Sequence, residues 1–238
     1  MKKLLLVLGI AVLLMSITVY AYEYTTTVEQ ARSLIVADAN VWHDRPDENW
    51  QGGFLDERTD DIDRRVWINF DLSKLGATQI ITAKLYVYIN TNHAYLNPNY
   101  RQLNYHTSLD DNWDENIVTW NNKPNTKEII TDYVMLPNQN LWEWYTFDLT
   151  LDARNSLNND ETFSGEIRFD DENDYWATNQ LLSKEYELDI TKRPYLMVTY
   201  ETEPHPLEER VSLLEYYINM IICQLIPKGL AKDISCPV

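Results

Sequence analysis

Arg65-Val-Trp-Ile-Asn-Phe-Asp71 and Thr82-Ala-Lys-Leu-Tyr-Val-Tyr-Ile-Asn90 decide the fold. In the first, Val66, Ile68 and Phe70 share a face. In the second, Leu85, Val87 and Ile89 face one way while Lys84, Tyr86 and Tyr88 face the other. Side chains alternate with period two in an extended chain, so both segments read as strands with one buried face. Further strands are expected at 101–106, 128–135, 142–149, 165–170 and 194–200, separated by stretches rich in the turn formers Asn, Asp, Pro and Thr. No helical period interrupts residues 33–200, and no repeat at fixed spacing is visible. The reading is all-β: an antiparallel β-sandwich, jelly-roll-like, with Leu196 and Val198 joining the six apolar residues above in its core.

The flanks differ in character. Lys2 and Lys3 precede the apolar run Leu4–Val19, and Val19-Tyr20-Ala21 supplies small residues for cleavage, so 1–21 reads as a signal peptide. The alternative is an uncleaved anchor, for which the run is short. Residues 22–32 are a lead-in, and Glu201-Thr-Glu-Pro-His-Pro206 is a linker. Beyond it, 207–238 reads as a helical tail: Leu207, Val211, Leu214, Ile218, Ile221 and Leu225 keep heptad spacing. That seam makes the tail a candidate for homo-oligomerisation, against docking on its own domain or a lipid surface. Cys223 and Cys236, the two cysteines of the chain, flank the turn set by Pro227 and Gly229. In an oxidising compartment they are expected to form one bridge, with an interchain bridge as the alternative. The protein is therefore expected to be secreted or held at the cell surface.

Composition excludes several function classes. The net charge of −17 repels nucleic acid and anionic lipid, so no nucleic-acid partner is expected. Glycine is scarce at 6 residues, and neither a P-loop nor a GxGxxG pattern is present, which argues against nucleotide chemistry. The 4 histidines, at 43, 93, 106 and 205, sit singly, and there is no HExxH or GxSxG. With 37 acidic residues, paired carboxylates for glycoside cleavage would arise by chance, so they carry no argument. The expectation is a non-enzyme with no cofactor beyond structural calcium. For calcium, the run holding Asp60, Asp61 and Asp63 offers hard oxygen ligands, and Asp170-Asp-Glu172 with Asp174 offers a second cluster. A solvated acidic loop is the competing reading of both.

Aromatic residues among polar, turn-rich segments are the candidates for binding. Trp and Tyr faces stack on the C–H faces of sugar rings while neighbouring amides and acids bond the hydroxyls. Trp50, with Asn49 and Gln51, and Trp176, with Asp174 and Asn179, have that composition. Tyr95 and Tyr100 join them as expected carbohydrate-binding residues; Trp42 and Trp142 lie in similar surroundings. Trp113 and Trp120 instead flank a turn in which Thr119 and Asn121 can bond the backbone, and read as core at a corner between sheets.

Four stretches carry a family resemblance. They are Val36-Ala-Asp38; Arg65 to Ser73 with Ile81-Thr-Ala-Lys-Leu85; Trp113-Asp-Glu115 with Val118-Thr-Trp-Asn-Asn-Lys-Pro124; and Phe147-Asp-Leu-Thr150 with Ser183-Lys-Glu185 and Arg193 to Tyr200. In these the chain resembles the disaggregatase-related (DNRLRE-type) β-sandwich modules, which are similar to carbohydrate-binding modules and include alginate-lyase appendages. Gly165 stands where the family usually has a glycine, whereas the acidic run at 56–63 and the tail depart from it. The resemblance implies a polysaccharide or glycoconjugate partner. The second reading is a self-assembling structural subunit of a surface, matrix or appendage.

Overall fold

The computed structural model describes residues 22–52, 54–58, 63–92, 100–137, 141–170 and 178–203. The signal segment, the tail with Cys223 and Cys236, Tyr95, Trp176, Asp60 and Asp61 lie outside the described residues.

Among the described residues eleven strands occur in the order β1 (Tyr22–Thr25), β2 (Ile35–Trp42), β3 (Phe54–Arg58), β4 (Arg64–Asp71), β5 (Ala77–Asn92), β6 (Tyr100–Thr107), β7 (Asp132–Pro137), β8 (Leu141–Asp148), β9 (Thr162–Phe169), β10 (Thr178–Leu182) and β11 (Tyr195–Thr202). The 16-residue β5 organises one face of the sandwich. Strands β11 and β10 pair in tandem along one of its edges, and β8 pairs along the other, all antiparallel. The opposing layer runs β2-β4-β9-β6-β7, also antiparallel, with β3 and β10 linking the two.

Alternation places the core where the sequence puts it. Val66, Ile68, Phe70, Leu85, Val87, Ile89, Leu196 and Val198 are all buried and belong to one cluster, whereas Lys84 points to solvent. Register enforces this, since a one-residue slip of β5 would bury Lys84 and expose Leu85.

Strands β1, β2, β3 and β10 fall outside the segments expected from sequence, and three further local features differ. A helix, α1 (Val28–Ser33), forms in the lead-in behind a capping box: Thr27 Oγ1 accepts from the Gln30 amide at 3.2 Å, and Gln30 Oε1 accepts from the Thr27 amide at 2.9 Å. A second, α2 (Thr150–Leu157), interrupts the β pattern. It has no apolar stripe, because Asp152 and Ser156 are among its buried residues. It is held by the Arg154 guanidinium, which donates to the carbonyls of Ile80 at 2.7 Å and Ile81 at 2.6 Å. Finally, the strand expected at 128–135 starts only at Asp132, and 108–131 is irregular apart from a bridge between Ser108 and Thr126. That segment lies against the outer side of β2 and β4. Trp113, Val118 and Trp120 pack there on Ala39, Val41 and Trp67, making a second, smaller core. Trp113 and Trp120, expected as core, are partly buried, and they cover a sheet rather than turn a corner.

Asp71 ends β4 as a capping residue, its Oδ1 accepting from the Ser73 amide at 2.9 Å. Hydrogen bonds from Ser73 hold its carboxyl below the usual range. A depressed folded-state pKa contributes stability above the unfolded value, lost as pH falls through the folded one. Asp71→Ala is thus expected to cost about 1 kcal/mol at neutral pH. The difference from wild type in urea melts should shrink as pH falls below the unfolded value of about 3.9; an equal difference at pH 2.5 and pH 7 would contradict this assignment.

Candidate functional site

The outer face of β8-β5-β11 carries the most exposed aromatic surface among the described residues. Residues opposite the core-facing set project there: Trp142 and Trp144 from β8, Tyr86 and Tyr88 from β5, and Tyr195 from β11. Tyr88 lies directly across from Trp144, and Tyr86 across from Tyr195. The rings form a continuous series. Trp142 and Tyr88 stack at 5.6 Å and 16°, and Tyr88 meets Trp144 at 5.1 Å. Trp144 meets Tyr195 edge-on at 5.4 Å, and Tyr195 stacks on Tyr86 at 4.8 Å and 12°.

Such cross-strand pairs stabilise a sheet by roughly 0.2–1 kcal/mol each, which accounts for Tyr86 and Tyr195 on structural grounds. It does not account for the tryptophans, which remain 38% and 39% exposed. An apolar surface left exposed on a sheet face, as it is among the described residues, is the kind of patch that marks a binding site. Polar groups rim it. Lys192 Nζ lies 5.0 Å from the Tyr88 ring and Arg32 Cζ 5.9 Å from the Tyr195 ring. Partial burial, with the neighbouring Tyr86, raises the Tyr195 pKa.

Trp50 is placed differently. Its ring stacks on Trp42 at 3.9 Å and 8°. Arg64 Cζ lies 3.5 Å from the Trp42 centroid, on the face that Trp50 leaves open, so Trp42 is sandwiched. Both indole nitrogens are buried without a hydrogen bond. The amides beside Trp50 hold the 113–124 segment: Asn49 Nδ2 donates to the carbonyls of Glu115 at 2.8 Å and Val118 at 2.7 Å, and Gln51 Nε2 to that of Glu115 at 2.6 Å. Tyr100 begins β6, paired with Pro137. Asn179, read beside Trp176 as a hydroxyl partner, is fully buried with both amide atoms unbonded. Asp63 accepts from the His43 amide through its backbone carbonyl at 2.8 Å. Among these residues, then, the described structure brings Trp50 into contact with Trp42 rather than into the β8-β5-β11 surface.

The pattern that reveals that surface was present in the sequence. Tyr86 and Tyr88 fall on the solvent face of β5, and Trp142 and Trp144 are two apart on β8. What the sequence alone could not supply was the pairing of β5 with β8 and β11, which gathers these rings.

The family model for carbohydrate-binding module family 96 matches residues 31–200. The chain belongs to that family. The match spans both layers of the sandwich, the 108–131 cover and the aromatic face. No curated protein sequence matches the chain. Membership makes this a carbohydrate-binding type of module, of a class typically without catalysis of its own. Among the described residues no helix is long and apolar enough to cross a membrane.

Proposed function

We propose that the protein is a secreted or cell-surface, non-catalytic module that holds a polysaccharide against the β8-β5-β11 face. The observation that carries this reading is the pair of open tryptophans, Trp142 and Trp144, within an unbroken series of rings. Successive sugar residues of an extended chain can each lay a C–H face on an indole or phenol ring. Lys84, Asn90 and Lys192 stand close enough to the series to meet ring hydroxyls or substituents. A face that stands open among the described residues favours a long polymer over a small free sugar, which would leave most of its surface in water.

A polysaccharide array probed with the full chain tests the proposal. Binding to a polymer should be accompanied by protection of tryptophan fluorescence from acrylamide, because the exposed indoles dominate quenching. Absence of binding to every polysaccharide class, with unchanged quenching, would overturn it.

A further inference from the structure

We propose that Asp38, Glu115 and Glu185 form a calcium site that staples the edge of the sandwich. The three come from separate parts of the chain: Asp38 from edge strand β2, Glu115 from the segment covering the outer sheet, and Glu185 from the connection after β10. One carboxylate oxygen from each lies within 4.8 Å of the others. Ligands on opposite sides of a Ca²⁺ ion, each about 2.3–2.6 Å from it, span that distance. This inference is independent of the carbohydrate reading, since the cluster lies outside the aromatic series.

A cluster of acids on a surface would need no ion. Asp38 is different, being only 2% exposed. Its Oδ2 accepts from the Lys184 amide at 2.6 Å, but its Oδ1 is buried and bonded to nothing. The Asp38 amide in turn donates to Glu115 Oε2 at 3.3 Å. A buried carboxylate oxygen without a partner, on a side chain that meets two more carboxylates, calls for a cation. Lys184 supplies part of the charge, its Nζ lying 2.9 Å from Glu115 Oε2 and also pairing with Glu185. Three carboxylates against one ammonium leave two formal negative charges. A divalent ion bound there would satisfy the buried oxygen and offset the excess of carboxylates. Calcium suits the site better than magnesium, which demands octahedral geometry at about 2.0–2.1 Å and gives up its waters reluctantly.

Thermal melts and calorimetric titrations of the full chain, stripped with EDTA and then given CaCl₂ or MgCl₂, test the site. For an affinity of about 10⁻⁴ M, usual for extracellular modules, 10 mM calcium should raise the midpoint by about 5 °C or more. Magnesium should raise it less. Asp38→Asn keeps an oxygen for the Lys184 amide and removes the buried charge; it should melt cooperatively in EDTA yet lose the calcium shift. Glu185→Gln, more exposed, should weaken calcium at least tenfold. Lys184→Gln should tighten it severalfold, which loss of a merely structural salt bridge would not do. No heat and no shift in the wild type would overturn the proposal. So would a shift intact in Asp38→Asn, or one abolished by Asp60→Asn and Asp61→Asn instead.

Discussion

Replacing Trp142 and Trp144 together with alanine is expected to reduce polysaccharide binding below detection. Buried aromatic anchors at interfaces often cost about 2 kcal/mol or more when truncated, roughly thirtyfold in affinity. Two such losses, even if not additive, carry a micromolar affinity into the millimolar range. The double variant should fold, because both side chains project away from the core cluster and their pairings with Tyr88 and Tyr195 lie on the outer face. Aromatic pairs of this kind contribute about 0.5–1.5 kcal/mol each. Trp50→Ala should behave in the opposite way. It removes the stacking partner of Trp42 and loosens the support of the 113–124 segment, so its melting point should fall while binding persists. Affinity electrophoresis in a polysaccharide-containing gel, paired with melts, separates the outcomes. Wild-type retardation of the Trp142→Ala/Trp144→Ala variant, or its loss in Trp50→Ala at a temperature where that variant is folded, would move the site to the Trp42–Trp50 pair.

Burial was legible in the sequence wherever a strand carries a solvated face. Strands β5 and β11 announce themselves because water on one side forces polar residues into alternate positions, whereas β4, buried on both faces, shows only the alternation of Val66, Ile68 and Phe70. Strand β2 gives no such signal. The cover laid by 108–131 buries Ala37, Ala39 and Val41 on one side while Asp38 and Asn40 are buried on the other, so period-two contrast disappears. Helix α2 was hidden for a related reason. Its buried residues include Asp152, which accepts from Thr107 Oγ1 at 2.6 Å, and a tertiary hydrogen bond of this kind leaves no periodic trace. The site was legible only in part. Local composition pointed to Trp50, whose polar neighbours turned out to bond backbone carbonyls of the same molecule. The aromatic face depends on which strands are neighbours, and Asp38, Glu115 and Glu185 meet only because three distant segments share an edge.

Gly165→Ala should be among the most damaging single substitutions in the sandwich. Gly165 sits in β9, opposite Ile68 of β4 and Thr107 of β6, on the side that faces the core. The ring of Tyr105 lies across it: an added Cβ would fall 2.2 Å from Tyr105 Cζ, 2.3 Å from Oη and 2.6 Å from Cε1. Tyr105 is fully buried, so the ring cannot swing into solvent, and it is packed in turn against Phe147 with centroids 6.1 Å apart. Overpacking of this kind costs about 1–3 kcal/mol, and more where neither partner can move. For a domain of this size, that corresponds to a fall in melting point of about 5–10 °C. The phenol adds a second, opposite expectation. Its hydroxyl is buried with no hydrogen-bond partner, so Tyr105→Phe should be neutral or stabilising. Tyr105→Leu alone opens a cavity and should destabilise, but combined with Gly165→Ala it makes room for the new methyl group. The two costs should therefore fall short of additivity by about 1 kcal/mol or more. Strict additivity in a double-mutant cycle, or a Gly165→Ala midpoint within about 2 °C of wild type, would show that the contact between this glycine and Tyr105 does not constrain the core.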